Sequence, residues 1–368
     1  MEGRPETNAP VPPGAGKPSG KGTPETAARL RIPWFFLLFA AMGLVAVWLV
    51  SGRTVDFRVL AKAKPLPLCV ALALGIGTIG IDAFRLQVLV LLGRTRIPFP
   101  EAVRTVLVYG FASAITPTSL GGEVSMIWLL HRRGMSPGAA TAVTGIRTIL
   151  PLVGFLLLMP AVAIARPAEF RGFLGTAAPL AAIGCAVLVA LVGLLLAGRQ
   201  ALKSHARGAA TADGHRPRRA EFIRRALLWV ETAAHDCWNL LASAFVQRPL
   251  VLVFAAVLTV AHVIGYLAIV PLCAAAFGLP VSFWHAATGA ALVELITVLI
   301  PLPGGSGAAE AGIATVLKTA APNGPGAAVL WATVLWRLIA THLRVFSGAV
   351  LMGRVMHDAR QTASRQQA

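Results

Sequence analysis

Ile115-Thr116-Pro117-Thr118-Ser119-Leu120-Gly121-Gly122-Glu123 and Ile300-Pro301-Leu302-Pro303-Gly304-Gly305-Ser306-Gly307-Ala308-Ala309-Glu310 are one pattern written twice. Each is an apolar run broken by proline and glycine, carries Pro-x-x-x-Gly, and places one carboxylate just past the break. Both lie in sequence that is otherwise apolar enough to sit in lipid. Backbone interrupted at membrane depth must be covered by protein or face a water-filled cavity, because each unpaired N–H or C=O in hydrocarbon costs several kcal/mol. Broken apolar segments in corresponding halves of a membrane protein are a sequence pointer to a transport site.

The composition around these breaks supports a bilayer setting. Of the 368 residues, 56% are hydrophobic and 13% are charged, about half the charged share of an ordinary soluble domain. Mean hydropathy is +0.72. Six apolar runs have about the length needed to span, which is roughly 20 residues. They are Ile32–Val50, Leu66–Leu92, Gly138–Ala165, Leu174–Ala197, Leu250–Phe277 and Gly326–Met352. The formal net charge of +18 resides mainly in tails and loops beside these runs. It reads as attraction to anionic lipid headgroups, and no nucleic-acid partner is expected. Residues 1–31 are rich in Pro, Gly, Thr and Ala and cannot bury a core; they lack the apolar core and cleavage site of a secretory signal. Cys69, Cys185, Cys237 and Cys273 show no paired spacing, so neither a disulfide nor a metal site is expected, and no cofactor either.

Lysine and arginine placement sets the expected topology. If the two broken segments enter and leave on the same side and the N-terminus is cytoplasmic, 22 basic residues lie on the cytoplasmic side and 7 on the other. Full crossing of both segments gives a weaker bias or the wrong one. The sequence therefore predicts an all-α polytopic membrane protein of about six transmembrane helices plus two re-entrant helical hairpins in an inverted repeat. The expected layout is a disordered cytoplasmic tail (1–31), a first membrane half (32–198) with a hairpin at 105–131, and a basic linker with an amphipathic helix (199–248). A second half (249–353) with a hairpin at 285–318 and a cytoplasmic C-terminal tail (354–368) follow. The repeat extends past the breaks: Pro137-Gly138-Ala139-Ala140 and Pro325-Gly326-Ala327-Ala328 each open a span that carries an arginine, Arg147 and Arg337. Ile223, Leu227, Val230, Ala234, Trp238, Leu241 and Phe245 form one stripe from Glu221 onward, suited to the membrane surface or to a helix extending the next span.

Charged side chains inside spans are costly, so they pair or serve function. Asp82 and Arg85 are three apart on one helical face and suit an intrahelical pair. Arg147 has no acid in its own span, and Glu123 and Glu310 are the candidate partners. Arg337 and Arg344, seven apart, are expected to share a face of the last span. Glu294 lies in the incoming limb of the second hairpin, and His262 and Tyr266 read as hydrogen-bonded interior groups. A half-helix that starts at a glycine break presents N–H groups and a positive dipole end, which attract anions. Arg147, Arg337, Glu123, Glu310, Thr116, Gly121, Gly122, Gly304, Gly305, Ser306 and Gly307 are thus the candidate substrate-binding residues. Thr118 and Ser119 add hydroxyls, and Asp82, Arg85, Glu294 and Arg344 play supporting parts. The competing reading is that the glycines only permit close helix packing.

The run Thr116-Pro117-x-x-x-Gly121-Gly122-Glu123, followed by Leu130-x-x-x-Gly134 and Arg147, and the run Ile300-Pro301-x-Pro303-Gly304-Gly305-x-Gly307-x-x-Glu310 resemble the lysylphosphatidylglycerol synthase transmembrane family. Its members are also called flippase-like membrane proteins. The resemblance covers about residues 33–352. It implies an integral bacterial inner-membrane protein with re-entrant segments, related to the membrane halves of multiple peptide resistance factors, which move aminoacylated phosphatidylglycerol between leaflets. Some stand-alone relatives are found near polyprenyl-linked glycan or hopanoid synthesis. The synthase members carry a soluble aminoacyl-transferase domain after the membrane part, whereas this chain ends 16 residues past Met352. It is therefore not expected to be an enzyme that makes that lipid. The leading expectation is a flippase-like transporter of a phosphate-containing lipid or polyprenyl-phosphate carrier. The alternatives are a membrane-embedded headgroup transferase or phosphatase, and a non-transporting scaffold for envelope lipid synthesis. Expected partners are anionic or lipid-linked substrates and envelope-lipid enzymes.

Overall fold

The computed structural model describes residues 55–116, 119–165, 246–299 and 302–367, together with positions 45, 48, 49, 171, 238–240 and 242–244. The expected spans at 32–50 and 174–197 and the linker at 199–237 fall outside these residues almost entirely. So do the N-terminal tail and Pro117, Thr118, Ile300 and Pro301 at the breaks.

Among the described residues every regular element is helical. The chain forms α1 (Phe57–Ala61), α2 (Pro65–Val90), α3 (Phe99–Ile115), α4 (Leu120–Arg132), α5 (Pro137–Ala165) and α6 (Pro249–Ala276). It continues with α7 (Phe283–Leu299), a 3-10 turn at Pro303–Gly305, α8 (Ala308–Ala320), α9 (Gly326–Arg337), a π turn at Leu338–His342 and α10 (Leu343–Gln367). Four stretches are long and apolar enough to cross a bilayer: Pro65–Val90, Pro137–Phe155, Pro249–Ala276 and Gly326–Val355. These coincide with four of the six expected spans. Proline within the first residues of α2, α3 and α6 supplies a fixed φ where the N–H would be unpaired anyway. Leu250, Val253, Phe254, Val257, Val260 and Ile264 on α6 remain exposed at helical spacing. In water such a stripe would be a liability; in a bilayer it meets acyl chains.

The two broken segments fold as matching helix–break–helix units. Their limbs are 17 and 13 residues in the first (α3, α4) and again 17 and 13 in the second (α7, α8). In each unit the limbs pack on one another. Glycine permits the approach: a Cβ on Gly122 would overlap the Ser113 hydroxyl across the first unit, and one on Gly312 would lie 2.8 Å from Val293 across the second. The foot of the first unit is tied by Glu101 and Arg133, 2.7 Å apart. That pair is half in solvent and is worth at most about 1 kcal/mol.

The core has two parts that follow the two halves of the chain. One joins α6, α7, α8 and α9 through Val263, Ile269, Ala290, Ile313, Leu317 and Trp336. The other joins α2, α3, α4 and α5 through Leu86, Leu89, Val106, Met126, Leu130 and Val143. The central helices α2 and α6 lie against each other and unite them. The α10 helix, though last in sequence, packs on α3 of the first half. Gly348 makes this contact possible, since a Cβ there would fall on the Leu107 carbonyl. Of the expected amphipathic helix only the end is described: it is helical, with Ala244 buried and Leu240 packed beside α6, while Trp238 is exposed.

Candidate functional site: paired arginine clusters beside two helix breaks

The interior polar residues assemble where the halves meet. In the first half Asp82 lies on α2 and is 1% exposed. Arg85, three residues on, donates to its Oδ1 at 2.7 Å. Arg147, from α5, donates from Nε to Oδ1 at 3.1 Å and from Nη2 to Oδ2 at 2.5 Å. One carboxylate thus holds two guanidinium groups, with an excess of one positive charge. Arg85 also donates to the Thr259 hydroxyl on α6 at 3.2 Å, which carries the network across the central helix pair. The expectation that Arg147 pairs with Glu123 or Glu310 is not met. Its partner is Asp82, 65 positions away, because the packing of α5 on α2 brings them face to face.

Glu123 sits one step removed. It accepts from the Tyr109 hydroxyl at 3.0 Å and from the Thr148 hydroxyl at 2.8 Å. The Arg147 guanidinium lies 4.2 Å over the Tyr109 ring, a cation–π contact that is stronger when desolvated. Tyr109 and Thr148 were not picked out from the sequence. The usable signal was scarcity: the chain has two tyrosines, and both fall in apolar segments.

In the second half Arg337, at the end of α9, forms an ion pair with Glu310 at 2.8 Å. It also donates to the Gly304 carbonyl at 2.5 Å and to the Thr341 hydroxyl at 3.2 Å. Glu310 in turn accepts from the Gly307 N–H at 2.8 Å, the carboxylate half of a capping box, for which Gly307 has no side chain to return the bond. Gly304, Gly305 and Gly307 have φ of 57°, 66° and 86°, a region that side chains with a Cβ enter at a cost. The turn at 303–305 packs against α3, with Gly304 beside Ala114. Hence the second break abuts the end of the first unit's incoming limb, two residues before Thr116.

Both half-helix starts are closed by the protein's own groups. Thr116 accepts from the Gly121 N–H at 2.9 Å while donating to the Ala112 carbonyl at 2.8 Å, and Glu310 takes the Gly307 N–H. Gly121 and Gly122 also serve close packing, which was the competing reading of these glycines. A bound anion would have to displace these caps or use the arginines. Ser306 stands at the break with its backbone N–H on the Pro303 carbonyl at 3.1 Å, and Ser119 occupies the left-handed region at φ 60°.

Arg344 and Arg337 do not share a face. The π turn between them intervenes, and Arg344 reaches α2 instead, donating to the Thr78 hydroxyl at 3.0 Å. His262 lies with Nδ1 3.1 Å from the Thr78 carbonyl, and Tyr266 donates to Glu294 at 2.6 Å. Both are interior hydrogen-bonded groups. Apart from these clusters, an apolar groove of about 770 Å³ runs between the C-terminal end of α2 and the N-terminal end of α6, lined by Phe84, Leu91, Leu250, Phe254 and Val257 with Arg96. It contains none of the buried charges.

No curated protein matches the chain. The family described as "Lysylphosphatidylglycerol synthase TM region" matches residues 34–348, which takes in both broken segments and the buried Arg85, Arg147 and Arg337. The chain is an integral membrane protein and belongs to that family.

Proposed function

We propose that the protein is a flippase-like carrier that moves a phosphate-containing lipid, or a polyprenyl-phosphate carrier, across the bacterial cytoplasmic membrane. The observation that carries this reading is the junction of the two breaks: the Gly304 turn lies on α3 beside Ala114, and Arg337 grips the Gly304 carbonyl. Discontinuous helices meeting at an interior site let a headgroup be bound by half-helix ends and arginine while the chains stay in lipid. Four interior arginines supply the attraction, and arginine matches phosphate geometry with its planar fork of donors. In the described state Arg337 is engaged by Glu310 and Arg147 by Asp82, so a phosphate exchanges places with a carboxylate rather than entering an empty cation site. That exchange keeps the buried charge paired in both states. The apolar groove between α2 and α6 gives an acyl chain a path along the bundle, with Arg96 at its edge.

In this reading the α3/α4 and α7/α8 units are re-entrant hairpins that enter from opposite faces of six spans, with both termini cytoplasmic. Envelope-lipid enzymes that supply or consume the cargo are its partners. A cysteine introduced at Ser119 and one at Ser306, each in a cysteine-free background, are expected to react with impermeant maleimide from opposite sides of oriented vesicles. Labelling of both from the same side overturns the opposed-hairpin topology.

The function is tested in liposomes with a headgroup-accessibility assay. Arg337→Ala and Glu310→Ala are expected to reduce headgroup movement to that of protein-free vesicles, with monodisperse elution confirming folding. Movement at the unmodified rate in both variants sinks the assigned roles.

A further inference from the structure

We infer that Glu294, held by Tyr266, is a proton-binding site, and that its proton is the coupling ion for the lipid movement proposed above; the coupling rests on that reading, the proton site does not. The other acids of the described interior are better compensated. Asp82 has two arginines, Glu310 has Arg337 and the Gly307 N–H, and Glu123 has two hydroxyl donors with Arg147 on the Tyr109 ring. Glu294 has one side-chain partner, the Tyr266 hydroxyl at 2.6 Å. Among the described residues it has no cation within ion-pair distance. The charged groups whose field reaches it are Arg337 on α9, Arg344 on α10 and Glu310 on α8, and the Tyr266 phenol of α6 is the one group bonded to it.

An ionised carboxylate inside a bilayer protein is expensive unless a countercharge or several donors meet it. One phenol does not supply that. A proton does: the carboxylate takes H⁺ and becomes a neutral acid, with no other bond made or broken. Intramembrane carboxyls placed in this way form the proton relays of pumps and transporters.

Charge balance links that proton to an anionic cargo. Among the described residues around the two breaks and the central helix pair, Arg85, Arg147, Arg337 and Arg344 stand against Asp82, Glu123, Glu294 and Glu310. With every acid ionised the set is neutral. Protonating Glu294 leaves one uncompensated positive charge, and Arg337 is among the arginines facing it. A phosphate headgroup fits that surplus. Proton and anion therefore raise one another's affinity, by the same factor in both directions.

The test has two arms on the purified full-length chain. The first is a pH-difference infrared spectrum in the protonated-carboxyl region. A band is expected that is lost in Glu294→Gln and shifts in Tyr266→Phe, where the phenol donor is gone. Identical spectra for the unmodified protein and Glu294→Gln overturn the inference, whether or not lipid moves.

The second arm uses phosphatidylglycerol–phosphatidylcholine vesicles with a fluorescent phosphatidylglycerol bleached from outside by dithionite. A transmembrane pH gradient is expected to accelerate movement on the order of tenfold in the unmodified protein. Glu294→Gln is expected to show no difference between movement with and without the gradient. Movement indifferent to the gradient overturns proton coupling and leaves the carrier reading intact. Absence of movement under every condition overturns the carrier reading, and the infrared arm then decides the proton site alone. Gel filtration of Glu294→Gln and Tyr266→Phe establishes that both variants fold.

Discussion

Asp82→Ala is expected to destabilise the protein by about 3–5 kcal/mol, the usual result of removing one partner from a buried ion cluster. The side chain is almost wholly inaccessible, and both of its oxygens are engaged. Removing it leaves Arg85 and Arg147 facing each other with no anion between them. Arg85 would retain the Thr259 hydroxyl and Arg147 the Tyr109 ring, neither of which neutralises a charge. The measurement is denaturant or thermal unfolding in detergent micelles. A double-mutant cycle sharpens it. Arg147→Met alone should also destabilise, but Asp82→Ala with Arg147→Met should cost less than the two single effects added, because the second change removes a charge the first had stranded. Coupling of about 0.5–3 kcal/mol is the range for groups in one network. A single Asp82→Ala variant that unfolds with the unmodified protein would show that the cluster does not hold α2 to α5.

Gly348→Val is expected to be the most disruptive change on α10. A Cβ there falls on the Leu107 carbonyl and within 2.8 Å of the Leu107 carbonyl carbon and of Phe111 Cβ. Most of those atoms are backbone or the root of a side chain, so no rotamer change relieves the clash, and the two helices must separate. Overpacking of this kind costs about 1–3 kcal/mol and occasionally more. The separation also pulls at Arg344, one turn earlier on α10, which bonds to Thr78. The control is Gly77→Ala on α2, where an added Cβ meets nothing within 4 Å. That change should be neutral or slightly stabilising, since alanine is favoured over glycine in a helix by about 1 kcal/mol. Equal melting behaviour of the two variants in detergent would refute the close contact.

The part of this architecture that was readable in advance is the part governed by local chemistry. Apolar length marks four described spans, because a helix that crosses lipid must be long and nearly uncharged. Proline and glycine mark the interruptions between Ile115 and Leu120 and between Leu299 and Ala308, because neither residue continues a helix readily. The Asp82–Arg85 pair is a matter of three-residue spacing, and the Glu310 cap belongs to its own turn. The Arg337–Glu310 ion pair joins two residues of the second repeat, whereas the sequence reading offers Glu310 as a partner for Arg147.

What escaped the sequence depends on which helices become neighbours. Nothing in the vicinity of Arg147 announces that α2 will deliver Asp82 to it. Likewise Ser347-Gly348-Ala349 is a small-residue patch that favours a close helix contact, yet it does not name α3 as the partner. The glycines of the first break were read chiefly as an anion seat. Their surroundings add a more ordinary reason for Gly121 and Gly122: the Thr116 side chain and Ser113 leave no room for a Cβ. Tyr109 and Thr148 escaped because hydroxyl partners of a carboxylate leave no spacing signature when they come from different helices.

The widened turn at Leu338–His342 has a consequence for how the last span is aimed. Seven residues along an unbroken α-helix bring a side chain back to within about 20° of where it began. A π turn inserts about one extra residue, which is worth roughly 100° of rotation. Arg337 and Arg344 therefore look outward along different bearings, one to Glu310 in the later half of the chain and the other to Thr78 in the earlier. The last span acts as a swivel pin keyed into both halves, its one extra residue turning Arg344 toward α2 while Arg337 stays on Glu310.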